Sequence, residues 1–292
     1  MRTGLVLESI EAANAAKLKH GAKTEKVKHD ACTVTTVKLE NDNDAKTFGR
    51  EKGTYITVEF DRVYQITDRD FECIVKVISD KIQSIMPRNR GRILIAGIGN
   101  REITPDSLGP KCVDRVIVTR GFEKVMPELI SSGTYSSVSA ICSNVFGVTG
   151  IESAELIGGI AKMLKPSLII VIDALATTSV ARLCKTVQIS DTSLTPGGGV
   201  DNARKRISPD NLDTPVISIG MPTVMDVSSI LSGAGCPQTE IKKQLGEYSD
   251  SMIAMPSRID SATDIAAKLI AFAVNKALHR DLSTEDILRF LY

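Results

Sequence analysis

Two short runs of purely apolar residues limit most strongly what this chain can fold into. Residues 93–98 read Ile-Leu-Ile-Ala-Gly-Ile and residues 168–172 read Leu-Ile-Ile-Val-Ile. Strands that are apolar on both faces are typical of parallel sheets with helices on both sides. Segments with helical periodicity, such as 152–164 and 263–278, alternate with strand-like runs. The sequence therefore predicts an α/β fold, a three-layer sandwich around a mostly parallel sheet.

The segments that flank this core are predicted to elaborate it. Residues 33–39 and 54–60 alternate and are rich in β-branched side chains, and the turn cluster 41–44 lies between them, so they predict a β-hairpin or a pair of strands. Other helices are predicted at 5–19, 70–86, 114–120 and 281–292, the last with a cap at Ser283, and other strands at 138–142, 187–189 and 215–219. We expect a single domain over residues 1–292, with an N-terminal elaboration (1–90), a catalytic core (91–230) and C-terminal helices (231–292).

The bulk composition argues against several classes of protein. Lys and Arg number 36 against 35 for Asp and Glu, a net charge of +1, so no strong field attracts nucleic acid or a membrane surface. No apolar run is long enough to span a bilayer, and the N-terminus lacks the pattern of a secretion signal. The basic run 17–28 is interpreted as a solvated helix end and loop, or alternatively as a patch for an acidic partner.

The cysteines indicate the compartment. There are six, with no C-x-x-C pair among them, and they are interpreted as small core residues of a protein in a reducing environment. We therefore expect a cytoplasmic protein that binds neither nucleic acid nor a membrane.

Two aspartates follow predicted strands at the edge of the sheet where ligand sites form. Asp106 lies in the segment 104–110, Thr-Pro-Asp-Ser-Leu-Gly-Pro, where a helix is about to begin, and Asp173 directly follows the strand 168–172. The carboxyl ends of strands in open α/β sheets border the ligand crevice. Alone, Asp106 fits a helix cap and Asp173 fits an acceptor for a loop. Together, two carboxyl groups in a desolvated crevice share a proton and act as general acid and general base on an amide.

Other catalytic arrangements fit the sequence less well. Residues 97–99, Gly-Ile-Gly, start like a dinucleotide-binding loop, but Glu102 occupies the third glycine position, so these glycines are interpreted as a tight turn. His20, His29 and His279 are interpreted as surface residues, and the chain has no H-E-x-x-H or G-x-S-x-G motif. No cofactor and no metal are expected.

Several other residues are candidates for contacting a substrate near the two aspartates. A glycine-dense loop would hold an anionic or extended ligand with its backbone N–H groups, although a plain surface loop explains it equally well. Asp226 is interpreted as either a helix cap or a substrate contact. Nearby cations are candidates for binding an acidic substrate residue, but each is also interpreted as a solvated charge. The candidates are Asn100, the glycines Gly197, Gly198 and Gly199, Asp226, and the cations Arg101, Lys111, Arg204 and Arg206.

Ordered motifs along the chain resemble one known family. They are 97–100 (Gly-Ile-Gly-Asn), 104–110, 118–120 (Val-Thr-Arg), 147–152 (Gly-Val-Thr-Gly-Ile-Glu), 172–176, 197–205 and 220–226, with Arg2-Thr3 and 275–279 near the ends. On these motifs the chain resembles, over nearly its whole length, the germination proteases of endospore-forming bacteria. The central fold of that family is similar to that of the hydrogenase-maturation proteases.

The resemblance implies a particular activity and site. The family comprises endopeptidases of an atypical aspartic type, historically described as metalloproteases, which degrade small acid-soluble spore proteins in the spore core early in germination. Its two essential aspartates fall on Asp106 and Asp173. The resemblance also implies a homotetramer that is made as a zymogen.

The sequence departs from the family pattern in ways that keep alternatives open. In the family an acidic residue marks the self-cleavage point of a pro-segment, and here Gly4 stands in its place with only Met1 before Arg2-Thr3. The glycine loop reads Gly-Gly-Gly where the family often has Gly-Ser-Gly, and a family insertion before Met252 is missing. The metal-binding histidine of the maturation proteases has no counterpart in the core. The alternatives are a latent relative that binds spore proteins without cutting them, and a metal-dependent maturation peptidase that uses nickel.

Overall fold

A nine-stranded sheet runs through the computed structural model, which describes residues 4–18, 20–61, 63–88, 91–197, 204–279 and 282–291. The strands are β1 (Lys23–Lys28), β2 (Thr33–Leu39), β3 (Gly53–Glu59), β4 (Ile93–Ile98), β5 (Val138–Asn144), β6 (Leu168–Thr177), β7 (Thr186–Ser190), β8 (Val216–Asp226) and β9 (Ile253–Ala254). Their order is β1-β2-β3-β7-β8-β6-β4-β5, and β9 pairs with the end of β8.

The α-helices connect and cover these strands. They are α1 (Val6–Ala15), α2 (Asp42–Phe48), α3 (Asp68–Ile85), α4 (Leu108–Val113), α5 (Phe122–Val125), α6 (Pro127–Ser131), α7 (Phe146–Thr149), α8 (Ser153–Leu164), α9 (Pro209–Leu212), α10 (Val227–Gly233), α11 (Gln238–Leu245), α12 (Ile259–Leu278) and α13 (Thr284–Leu291). No helix in the described ranges combines the length and apolar character that a membrane span requires.

The centre of the sheet is parallel, as the apolar runs predict. β4 pairs in parallel with β5 and β6, and β6 pairs in parallel with β8. The strands on the other side, from β1 to β7, pair antiparallel, and β7 joins them to β8. The N-terminal elaboration therefore extends the same sheet.

The two faces of the sheet are covered differently. On one face, α3, α4 and α12 form a continuous core with inward residues of the central strands, such as Ile95, Ile170 and Ile217. On the opposite face, α8 packs over Ile169 and Val171 at one end. Helix α1 packs on the same face at the other end, over Val37 and Tyr55 of β2 and β3. The middle of this second face, between α8 and α1, forms the floor of a cleft, and its residues, such as Ser190 and Ser218, are largely buried.

Local structure differs from the sequence predictions at several elements outside the core. The predicted turn cluster 41–44 begins helix α2, because the Asn41 side chain accepts the Asp44 N–H and Gly49 ends the helix with a left-handed φ of 61°. The basic run 17–28 is not a loop throughout, since Lys23–Lys28 forms the exposed edge strand β1. The helix predicted at 114–120 is wrong: α4 ends at Val113.

Three further interpretations change in the folded chain. Strands β6 and β8 run past the positions where their apolar runs end, so Asp173 and the segment 220–226 lie within strands rather than after them. His279 is not a surface residue, because only 1 % of it is exposed at the end of α12. Cys32, Cys112 and Cys184 are buried as expected, whereas Cys142 is exposed.

Candidate active site

A tight turn after β4 places Asp106 at the carboxyl edge of the parallel strands. Gly99 has a φ of 119°, and a Cβ there would lie 1.9 Å from the backbone oxygen of Asp106, so only glycine fits. Asp106 ends a short 3-10 helix, Thr104–Asp106. Its Oδ2 accepts the N–H of Asn100 at 2.6 Å. The carboxylate of Asp106 therefore fastens its own turn and does not cap α4.

Asp173 comes from the neighbouring strand β6. Its side chain is only 4 % exposed. Its Oδ1 accepts the N–H of Ala174 at 2.9 Å, and the N–H of Gly197 also donates to this carboxyl group. Asp173 is thus held in part by a loop, as one of the alternatives predicts, and it still borders an open cleft on the second face of the sheet.

Close packing of α4 brings the two aspartates to one edge. A Cβ on Gly109, in the first turn of α4, would lie 2.3 Å from the Ile98 oxygen and 2.5 Å from the Ile172 oxygen. The helix therefore begins in direct contact with the ends of β4 and with β6 just before Asp173. The absence of a side chain at Gly109 permits this approach.

The electrostatic environment acts differently on the pKa values of the two carboxyl groups. Burial raises the pKa of Asp173 to about 8, and the negative charge of Asp106 adds to the shift. Burial also raises the pKa of Asp106, but the Asn100 N–H and the positive charge of Arg204 oppose this rise. Near neutral pH, Asp173 therefore holds a proton while Asp106 is the group that ionises.

The cleft beside Asp173 has a polar floor that the strand register determines. Directly paired residues of adjacent strands share one face of a sheet. Asp173 pairs with Gly220, and Gly220 pairs with Gln188. In the next row, Ser218 pairs with Ser190, and their hydroxyl oxygens are 2.7 Å apart. The cleft has a volume of about 750 Å³, within the usual range for ligand sites.

The other predicted contact residues divide into those near the pair and those away from it. Asn100 contacts Asp106 through its N–H, and its side chain accepts the N–H of Glu102 at 2.9 Å. Gly197 contacts Asp173, and Arg204 acts on both carboxyl groups through its charge. Gly198 and Gly199 lie outside the described residues.

Asp226 and several of the cations lie elsewhere or already have partners. Asp226 occupies the N-cap position of α10, six residues along β8 from Gly220 and hence roughly 20 Å from the Asp173 row. Arg101 forms an ion pair with Asp114. Arg206 pairs with Glu51 at the far end of the cleft. Gln188, Ser190 and Ser218 are not predicted from the sequence, because nothing in a single strand shows which residues of other strands share its row.

Metal binding has no preformed site in the part of the chain that is described. No group of three or more His, Cys, Asp or Glu residues there is arranged to hold a metal ion. The expectation that no metal takes part stays a prediction.

Two carboxyl groups close enough for the charge of Asp106 to raise the pKa of Asp173, with Asp173 lining a cleft, fit a hydrolase of peptide bonds. Comparison with known proteins agrees with this class. The chain belongs to the germination protease family: the sequence model described as "Germination protease" matches residues 5–235. It is therefore a peptidase of the kind that acts in spore germination.

Individual relatives extend the match to the whole chain. The germination protease of Clostridium acetobutylicum is 32% identical over 324 aligned positions, covering 100% of this chain and 99% of the relative. That of Bacillus cytotoxicus is 41% identical over 208 positions, covering 70% of this chain and 56% of the relative. Among solved structures, a [NiFe] hydrogenase maturation protease, HycI from Thermococcus kodakarensis KOD1, matches with a TM-score of 0.38 and 18% identity, covering 67% of this chain and 99% of that chain.

Proposed function

We propose that this protein is an endopeptidase that hydrolyses small acid-soluble spore proteins during germination, with Asp106 and Asp173 as its catalytic residues. The observation that carries the proposal is the position of two carboxyl groups near each other, where α4 begins against β4 and β6, with Asp173 the more deeply buried of the two. The resemblance to the family supports a spore-protein substrate, a spore-core location and a homotetrameric assembly as parts of the proposal. Self-removal of a pro-segment does not belong to the proposal, because Gly4 replaces the acidic residue of the family.

Asp106 acts as the general base in this mechanism. Its carboxylate is half-buried, and the Asn100 N–H and the charge of Arg204 favour its ionised form. It accepts a proton from a water molecule while the water oxygen bonds to the carbonyl carbon of the scissile peptide. Asp173, which is protonated, donates its proton to the carbonyl oxygen. The product of this step is a tetrahedral diol.

The second step returns both aspartates to their starting states. The bond between carbon and nitrogen breaks, and the nitrogen takes the proton that Asp106 had accepted. Asp173 recovers a proton from one hydroxyl of the diol as the new carboxyl group forms. Asp106 ends ionised and Asp173 ends protonated, as both began, so the pair completes a cycle without another reactant.

Replacement of each aspartate tests the mechanism. We expect Asp106→Asn and Asp173→Asn each to lower kcat/KM for a purified small acid-soluble spore protein by about 1,000-fold or more, since either change removes a proton-transfer group. Asp80→Asn, on the exposed side of α3, is the matched control and keeps full activity. Circular dichroism establishes that the variants are folded.

The same measurement separates the proposal from its alternatives. If the wild type, both variants and the control all bind the spore protein and none of them cleaves it, the protein is a latent binding protein. If the Asp173→Asn variant still cleaves the substrate, the two-aspartate mechanism is wrong. Activity that appears only on adding nickel identifies the maturation-type chemistry instead.

A further inference from the structure

The cleft on the second face of the sheet has a defined length and two fixed walls. Its floor crosses four neighbouring strands, β6, β8, β7 and β3, from Asp173 through Gly220 and Ser190 to Tyr55. Adjacent strands lie about 4.8 Å apart, so the floor spans roughly 14 Å at right angles to the strands. An extended peptide rises about 3.4 Å per residue, so about four residues fit along this floor.

The first wall is the N-terminal segment before α1. The side-chain amide of Gln188 holds this segment at two points: its Nε2 donates to the Gly4 oxygen at 2.8 Å, and its Oε1 accepts the Val6 N–H at 2.7 Å. Arg50 donates to the oxygen of Leu5 at 3.0 Å. The N–H of Gly4 donates to the oxygen of Ala176 at 2.9 Å. These bonds attach the wall to β6, to β7 and to the loop between α2 and β3.

The second wall faces the first across the polar floor. Leu194 and Ile207 exchange two backbone hydrogen bonds, of 2.8 and 2.9 Å, so the chain doubles back beside the floor. Arg206, next to this bridge, forms an ion pair with Glu51, which also accepts the Ser193 N–H at 3.0 Å. Glu51 precedes β3, so this ion pair closes the end of the cleft that lies farthest from Asp173.

The chemistry of the floor selects the kind of chain that fits. Ser190, Ser218 and Thr192 present a connected set of hydroxyl groups, with oxygen atoms 2.7 and 3.0 Å apart. Gly220 lies between Asp173 and Gln188 in its row and contributes no side chain, and the side chain of Leu175 lies over it. Hydroxyl groups both donate and accept hydrogen bonds, so this part of the floor suits a peptide backbone and small polar side chains.

From these features we infer that the cleft is the binding groove for about four substrate residues on one side of the scissile bond. The substrate is an extended peptide with small or polar side chains that crosses the strands from Asp173 towards the Arg206–Glu51 ion pair. This inference rests on the proposed peptidase function and adds to it the length and character of the bound segment. Ser190 and Ser218 are then specificity-determining residues, whereas Gln188 and Arg50 position the first wall. None of the four takes part in proton transfer.

Peptides of increasing length test the groove. A quenched fluorescent peptide with one cleavable bond is lengthened one residue at a time, separately on each side of that bond. On one side, kcat/KM rises by on the order of 100-fold up to about four residues and then stays constant, because remote binding energy is used at the reacting bond. A rise that ends after one or two residues, or no dependence on length, overturns the inference.

A filled groove provides the second arm of the experiment. Ser218→Leu places a larger side chain on the floor, and Thr195→Phe does the same from the half-buried second wall if the first variant fails to fold. In either variant the ratio of kcat/KM between the longest and shortest peptides falls to near one. Ser84→Leu, at an exposed site on α3, keeps the wild-type ratio. An unchanged ratio in the folded groove variants rejects the groove and leaves the two-aspartate mechanism intact. That mechanism is tested separately, because it requires Asp173→Asn to abolish cleavage of every peptide.

Discussion

At the scale of single residues, burial keeps the carboxyl group of Asp173 protonated near neutral pH. The side chain is 4 % exposed and lies close enough to Asp106 to feel its charge, and both influences disfavour ionisation of Asp173. Asp106 is less buried and is bonded by the Asn100 N–H. Two identical side chains thus differ in protonation because their surroundings differ.

The first prediction concerns the pH dependence of cleavage. We expect kcat/KM to fall as the pH rises through about 8, because Asp173 then loses the proton that it must donate. It also falls at low pH, where Asp106 becomes protonated, and this limb lies above the usual range for aspartate because the pKa of Asp106 is raised. The measurement is a pH–rate profile on a short peptide. A profile that stays flat from pH 7 to 10 contradicts the assignment of Asp173 as the acid.

The second prediction concerns stability. The folded protein keeps a proton on Asp173 up to about pH 8, whereas the unfolded chain releases it near the ordinary value of 3.8. Between these values the native state binds more protons than the unfolded state, so Asp173 makes the free energy of unfolding fall by about 1.4 kcal/mol per pH unit as the pH rises. Asp173→Asn removes this contribution, and we expect the variant to be more stable than the wild type at pH 8 by a few kcal/mol.

Urea denaturation at pH 5 and pH 8 measures this effect. The difference in unfolding free energy between variant and wild type must grow towards pH 8. Asp80→Asn serves as the control, since Asp80 is exposed on α3. Equal pH slopes in wild type and Asp173→Asn would show that this carboxyl group is not buried with its proton.

At the scale of secondary-structure elements, the start of α4 fixes the geometry of the site. The third prediction is that Gly109→Ala lowers both stability and kcat, because the added Cβ would lie 2.3 to 2.5 Å from backbone atoms of Ile98 and Ile172. The helix must move, and Asp106 moves with it. We expect a loss of about 2–4 kcal/mol in unfolding free energy and a fall in kcat on the order of 100-fold.

A glycine in another helix supplies the comparison. A Cβ on Gly159, within α8, meets nothing within 4 Å. Gly159→Ala is therefore expected to raise the unfolding free energy by about 0.5–1 kcal/mol and to leave kcat unchanged. If the two alanine variants behave alike, close packing at Gly109 does not position the site.

The elements also show where sequence reasoning works and where it stops. The apolar run Ile93–Ile98 predicts both ends of β4, because a strand that is buried on both faces has an uninterrupted apolar sequence. β1 escapes prediction because an exposed edge strand has no buried face to mark it. The helix predicted at 114–120 is wrong because Val116 and Ile117 are buried without a helical backbone. The Asn275 side chain of α12 accepts the Ile117 N–H and donates to the Arg115 oxygen instead.

The candidate site likewise has one part that the sequence predicts and another part that it does not. Each aspartate follows an apolar run, so the sequence alone suggests that both lie at one edge of the sheet. The groove residues Gln188, Ser190 and Ser218 belong to strands whose order, β7-β8-β6, departs from the order along the chain. Which residues share a row then depends on long-range pairing and register, and a one-residue shift would turn each side chain to the other face.

At the scale of the whole molecule, the N-terminal elaboration is continuous with the core. β3 pairs with β7 over five residue pairs, from Tyr55 with Ser190 to Glu59 with Thr186. Helix α1 is tied to the end of β6 by Glu8, whose Oε2 accepts the N–H of Thr178 at 2.8 Å. Glu8 is 5 % exposed, so these bonds replace contacts with water that the carboxylate would otherwise make.

The fourth prediction follows from this continuity: residues 1–90 and the core unfold together as one cooperative domain. Native-state hydrogen exchange in increasing guanidinium measures the opening free energy of amides in β3, such as Ile56 and Val58, and in β4, such as Leu94 and Ala96. All four residues are buried in strands of the same sheet, so at high denaturant their opening free energies should converge on the value for global unfolding.

Glu8→Gln sharpens this experiment because it weakens only the N-terminal attachment. If the chain is one cooperative unit, the substitution lowers the global opening free energy of β3 and β4 amides equally, by about 1–3 kcal/mol for the loss of charge-assisted hydrogen bonds at a buried site. The alternative is that β3 opens at lower free energy while β4 keeps the wild-type value. That outcome would make the N-terminal part a separate unit that docks on β7, and the cleft, whose first wall comes from residues 4–6, would then open and close without unfolding of the core.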